Sequence, residues 1–184
     1  MKVIKTEFLI KFFLCLSVSS SVVASESLKE AFSEHFLMGT IWHGHDVNGK
    51  KNTFLEKEKE ITLREFNSIT AENVMKPHSI QSKKGKFKFK AADEMVKFAT
   101  KNNLTIVGHT LVWKNSAPDW FFQDQNGNQV SREVLIERLK AHIQTVVSRY
   151  KGKIAYWDVV NEAIETKWNP KIQSYDAFYK PCPW

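Results

Sequence analysis

The sequence predicts an α/β fold built on a parallel sheet with helices outside it. Three observations carry that expectation. Strand-like runs and helical periodicities alternate as β-α-β-α-β-α-β along residues 36–160. The run 154–160 is aromatic and β-branched, as a buried strand of a covered parallel sheet should be. Polar residues stand where strands end: Glu72 and Asn73 after one, Asn161 and Glu162 after another. In a (β/α)8 barrel that end is where chemistry is located. An amide beside a carboxyl suits a site that holds a hydroxyl and moves a proton.

Residues 27–35 read as a short lead-in helix, with Leu28, Ala31 and Phe32 on one face. Residues 36–42 fit a first strand, and the Gly and Asn content of 43–50 marks a loop. His43 and His45 flank Gly44 there. No partner ligands stand at usable spacing, so a rim loop is the reading and no metal site is expected. The helical pattern of 52–66 is weak; a helix is expected because parallel strands need a crossover. Residues 67–71 form a second strand, which delivers Glu72, Asn73 and Lys76 to its end.

Residues 83–90 make a basic turn, and 91–102 a helix with Ala92, Met95, Val96 and Ala99 on one face. Asn102-Asn103 gives the stop. A third strand covers 104–107 and is followed by His109 and Trp113. Ser116-Ala117-Pro118 breaks the chain into a loop, and Asn126-Gly127-Asn128 marks a turn. Ser131 caps the clearest helix, with Glu133 in its first turn. Its apolar face is Val134, Leu135, Leu139, Ile143, Val146, Val147 and Tyr150, and Gly152 ends it. Residues 154–160 are the fourth strand.

Residues 1–24 have the pattern of a secretory signal: Lys2 and Lys5, an apolar stretch over 12–18, and small residues before cleavage after Ala24. Lys11 shortens the apolar run, and nothing later is long and apolar enough to span a bilayer. A secreted protein, extracellular or periplasmic, is expected. Cleavage lowers the formal charge from +7 to +5. The lysines are scattered and not interleaved with aromatics, which speaks against a nucleic-acid partner. Cys15 leaves with the signal and Cys182 then stands alone, so no intrachain disulfide is expected.

Three blocks together resemble one family. Trp157-Asp158-Val159-Val160-Asn161-Glu162-Ala163 is similar to the acid/base strand of the glycoside hydrolase family 10 endo-β-1,4-xylanases. Ile69-Thr70-Ala71-Glu72-Asn73-Val74-Met75-Lys76 resembles the family's second-strand motif, and Gly108-His109-Thr110-Leu111-Val112-Trp113 its third-strand motif. The resemblance covers residues 36–165. It implies a (β/α)8 TIM barrel, which needs about 250 residues or more. A chain of 184 residues that opens with a signal holds about the first four βα units. Residues 25–184 are therefore expected to be the N-terminal part of the barrel.

The same resemblance implies a cofactor-free retaining hydrolysis of internal β-1,4-xylosidic bonds, with xylan as the polysaccharide partner and a monomeric intact parent. Retention needs two carboxyl groups about 5 Å apart, one giving a proton and one attacking the sugar carbon. Glu162 matches the acid/base. Asn161 matches the ligand of the sugar 2-hydroxyl. Glu72, Asn73 and Lys76 match hydroxyl ligands on the non-reducing side, and His109 a residue of the sugar site. Trp113 lines the cleft floor, where an aromatic face covers a sugar ring; Trp120 is read as floor or core. The family's nucleophile lies on the seventh strand, and no residue of this chain is assigned to it. Asp158 is set aside for that role because it lies within its strand.

Two positions depart from the commoner pattern: Pro77 follows Lys76 where tryptophan is frequent, and Lys114 follows Trp113 where histidine is frequent. Residues 167–184 carry no convincing match. Two other readings stay open: a catalytically inactive half-barrel with at most weak sugar binding, and a barrel β-glucanase.

Overall fold

The structure, a computed structural model, describes residues 26–43 and 56–179. The signal segment, His45 and both cysteines lie outside the described residues. Four strands form one parallel sheet in the order β1-β2-β3-β4: β1 (Gly39–Trp42), β2 (Ser68–Ala71), β3 (Thr105–Val112) and β4 (Tyr156–Val160). Each crossover carries helix: α2 (Glu56–Glu65) between β1 and β2, α3 (Pro77–Ile80) and α4 (Lys90–Lys101) between β2 and β3, and α5 (Arg132–Arg149) between β3 and β4. A helix α1 (Leu28–Ala31) precedes β1. It is shorter than the pattern over 27–35 suggested, because residues 32–35 continue only as turns. Among the described residues no helix is long and apolar enough to cross a membrane.

Register divides the sheet into two faces. Thr40 pairs with Ile69 and Ile69 with Ile106, so these residues share one side. That side meets α4 and α5: Ile69, Ala71 and Ile106 join Ala92, Met95, Val96, Ala99, Val146 and Tyr150 in one buried cluster. All four residues predicted for the apolar face of α4 are buried. Each Ile, Val or Met side chain in that cluster contributes about 1.5–3 kcal/mol, so this layer holds the sheet to its helices. Gly108 belongs here too. A Cβ on it would lie 2.3 Å from the Trp157 ring, so only a glycine lets the indole of β4 cross β3.

The helix ends follow their sequence signals. Ser131 Oγ accepts from the Val134 amide at 3.4 Å at the start of α5. Asn103 and Gly152, just past α4 and α5, adopt φ of 55° and 74°, the left-handed geometry that turns a chain out of a helix.

Several expectations are corrected. β4 is not a buried strand: Tyr156, Val159 and Val160 are exposed, because among the described residues nothing pairs on its far side and no helix follows to cover it. β3 runs to Val112 and so includes His109 within the strand. Residues 164–179, left without elements above, form an antiparallel hairpin of β5 (Ile164–Asn169) and β6 (Ser174–Tyr179). The apolar face of α5 also contains His142, 1% exposed. Its Nδ1 lies 2.8 Å from Gln81 Oε1, and burial lowers its pKa to about 4. The Trp120 indole donates to the Gln81 carbonyl at 2.9 Å. Arg138 donates to the carbonyls of Trp120, Phe121 and Gln123. Trp120 is thus a packing residue, and α5 holds the loop that follows β3.

Candidate active site

The C-terminal ends of β2, β3 and β4 converge on Trp113. From β2, the chain passes through Glu72 and Asn73 to Lys76, which stands in extended geometry before Pro77 opens α3. Pro77 therefore has a local reason: its fixed φ suits the first helical position. Lys76 Nζ donates to Asn73 Oδ1 at 2.7 Å and sits 4.7 Å from the centre of the Trp113 ring. An ammonium over an indole face is attracted by the ring quadrupole, so Lys76 is held from two sides.

From β3 come His109, Trp113 and Asn115. His109 and Asp158 are register partners across β3 and β4, so their side chains share a face. His109 Nδ1 lies 2.8 Å from Asp158 Oδ2. A carboxylate only accepts, so Nδ1 carries the hydrogen and the tautomer is set. Thr110 Oγ1 donates to the Asp158 backbone carbonyl at 2.8 Å, tying the same strand pair. The His109–Thr110 peptide is cis, and the His109 ring centre lies 6.0 Å from that of Trp113.

From β4 come Asn161 and Glu162. The Asn161 amide donates to the Val112 carbonyl at 2.8 Å, the last rung of the ladder. Glu162 then turns away with φ 54°. A non-glycine residue there bears roughly 1 kcal/mol of strain and persists only where its surroundings hold it. Here they do: Trp113 Nε1 and Asn115 Nδ2 both donate to Glu162 Oε2, at 3.0 and 3.1 Å. Both groups are donors to one oxygen, and together they set the rotation of an otherwise exposed carboxyl.

Five of the seven predicted site residues thus belong to one contact set: Asn73, Lys76, His109, Trp113 and Glu162. The Glu72 carboxyl and the Asn161 side-chain amide belong to half-buried residues at the same strand ends but carry none of these contacts. The sequence reading missed Asn115 and the partnership of Asp158. Asn115 stands two residues past Trp113, in a 3-10 turn (Lys114–Ser116) that follows a strand read too short. Asp158 had a usable signal, since a carboxylate in a strand read as buried calls for a partner, although its side chain is 48% exposed. Among the described residues no group of three or more His, Cys, Asp or Glu side chains could hold a metal ion.

The set has the parts of a site for uncharged polyols: a carboxyl, amides, an ammonium and an aromatic face. Comparison with known proteins narrows that class. The sequence model of glycosyl hydrolase family 10 matches residues 27–180, well past both ends of the resemblance read from motifs. Endo-1,4-beta-xylanase A of Thermotoga maritima is 47% identical over 144 residues, covering 76% of this chain and 13% of the relative. Endo-1,4-beta-xylanase B of Paenibacillus barcinonensis is 43% identical over 141 residues, covering 77% of this chain and 40% of the relative. The crystal structure of xylanase XynB from Paenibacillus barcinonensis, complexed with a conduramine derivative, superposes with a TM-score of 0.75 at 38% identity. That superposition covers 88% of this chain and 44% of the other. The chain therefore spans less than half the length of these relatives. Its four parallel strands are part of a (β/α)8 barrel.

Proposed function

The chain belongs to glycosyl hydrolase family 10, and on that premise we propose that it is the N-terminal part of a secreted, retaining endo-1,4-β-xylanase acting on internal bonds of xylan. Residues 1–24 are its export signal, and residues 25–184 are the first part of the catalytic barrel. The observation that carries this reading is the grip of Trp113 and Asn115 on Glu162 at the open end of β4. Glu162 is the acid/base. As acid it gives a proton to the leaving glycosidic oxygen, and as base it later takes one from the attacking water. A carboxyl fixed in rotation presents its proton along one direction, which is how positioning contributes to such a step.

The neighbours have matching roles. Asn73, Lys76 and Glu72 bind sugar hydroxyls on the non-reducing side of the cut, offering donors and acceptors in a mixed set. Asn161 binds the 2-hydroxyl, a contact that strengthens as the oxocarbenium-like state forms. The Trp113 indole supports a ring, and His109, with its tautomer held by Asp158, offers a further polar contact. The anionic partner that attacks the sugar carbon comes from a part of the barrel beyond these strands. On this reading the 184-residue chain by itself does not turn over xylan; release of xylo-oligosaccharides by the purified chain would overturn that.

The acid role is tested in the intact parent. Glu162→Gln is expected to lower kcat on xylan by roughly 10²–10⁴ while sparing aryl glycosides with good leaving groups. Equal loss on both substrate types would remove Glu162 from the acid role. A barrel β-glucanase is the second reading, and faster hydrolysis of carboxymethylcellulose than of xylan would establish it.

A further inference from the structure

A cleft of about 740 Å³ lies between α4 and the end of α5, lined among others by Lys97, Lys101, Arg149 and Lys153. Asp93 is the carboxylate in its wall, and that charge is already engaged. Arg149 binds it through two nitrogens at 2.9 and 2.6 Å, and the Tyr150 hydroxyl donates to it at 3.0 Å. Arg149 is further held 4.4 Å above the Phe89 ring. Lys97, Lys101 and Lys153 are exposed and form no ion pair with any described residue. Complementing a helix dipole accounts for Lys101 and Arg149, which stand in last turns. It does not account for Lys97, one turn back; Lys153, beyond the helix, is near enough to help hold the Asp93 carboxyl low, but Arg149 is the cation bound to that carboxylate. Lys97 and Lys101 are about 6 Å apart along the axis, and with Lys153 they give the cleft three exposed ammonium groups beside a preformed wall.

The location adds to this. Lys101 precedes the start of β3 and Lys153 the start of β4, whereas Glu162 follows the end of β4. The cleft is thus at the opposite end of the sheet from the candidate active site. A polymer held there leaves that site open.

We propose that this cleft binds the carboxylates of an acidic, uronate-bearing polysaccharide and anchors the protein to it away from the catalytic end. The choice of polysaccharide over other anions rests on the proposed function. Each lysine pairs with one carboxylate, so a polymer carrying several carboxylates engages all three where a single small anion engages fewer.

The test is equilibrium binding of the whole 184-residue chain to immobilised polygalacturonate at low and high salt, with neutral linear xylan as a parallel surface. Lys97→Gln/Lys101→Gln/Lys153→Gln is expected to weaken polygalacturonate binding about tenfold. The charge-matched variant Lys83→Gln/Lys84→Gln/Lys86→Gln, altered in the exposed basic turn, is expected to bind within about twofold of wild type. Circular dichroism checks that both variants are folded. Equal weakening in the two variants assigns binding to net charge and overturns the proposal. So does absence of wild-type binding, or thermal stabilisation by inorganic phosphate without retention on polygalacturonate. The xylan surface separates the two readings: if Glu72→Gln/Lys76→Gln leaves xylan binding intact, the active-site reading suffers and the anchoring cleft does not.

Discussion

The middle of the sheet and its β4 edge differ more than their sequences do. Ile69 on β2 is 0% exposed and Ile106 on β3 is 1% exposed, yet Val159 and Val160 on β4 are each 55% exposed. All four residues are aliphatic and β-branched, and all lie in parallel strands. What differs is cover: β2 and β3 have a strand on each side and helices across one face, while β4 is an edge among the described residues. Stability is therefore concentrated in β2, α4, β3 and α5, and Glu162 stands at the end of the least buried strand of the parallel sheet.

The comparison breaks most visibly in the covered layer. Met95→Ala empties a site that is 0% exposed and is expected to cost about 2–5 kcal/mol in urea unfolding. A loss below 1 kcal/mol would mean that the layer under α4 is not the stabilising one.

Acid sharpens the contrast next. His142 is buried, and its pKa is held at about 4 against 6.5 in the unfolded chain. A depressed histidine pKa means that the unfolded chain takes up the proton first. The contribution of His142 is therefore full above about pH 6.5 and is lost progressively as pH falls toward 4, by roughly 3 kcal/mol in total. Carboxylates held low, such as Asp93 by its hydrogen bond to Arg149, lose their contribution only at more acid pH. The urea midpoint followed between pH 7 and about 4 should drop in wild type and stay flatter in His142→Gln.

A smaller effect is expected at the surface ion pair. Asp93→Asn removes the partner of an exposed arginine and should cost about 1 kcal/mol or less in the same measurement. Smallest of all, Val159→Thr on the uncovered strand should change stability by no more than about 0.5 kcal/mol. A loss as large as that of Met95→Ala would show β4 to be covered in solution.

The legible parts of the sequence were those where local chemistry and tertiary role coincide. The stripe on α4, the Ser131 cap and the Gly152 stop each act within a few residues of themselves. The polar strand ends were legible for the same reason, and five of the seven residues named there meet in one contact set. What escaped depended on partners distant in the chain. β4 looked buried because residue type reports what a strand can pack against and not whether the neighbour is present. His142 hid in an apolar face because its partner, Gln81, lies on another element. Asn115 and Asp158 acquire their contacts only once β3 and β4 are in register. The antiparallel hairpin over 164–179 carried no period strong enough to predict it.

Gly108 and Trp157 have a consequence for descent. The space that the missing side chain leaves is filled by the indole, so the two positions share one fixed volume. Lineages that enlarge the first should be found to have shrunk the second in the same step, and single intermediates should be rare. Because Glu162 lies only five positions beyond that indole, drift at the pair would be felt as a shift in where the carboxyl arrives.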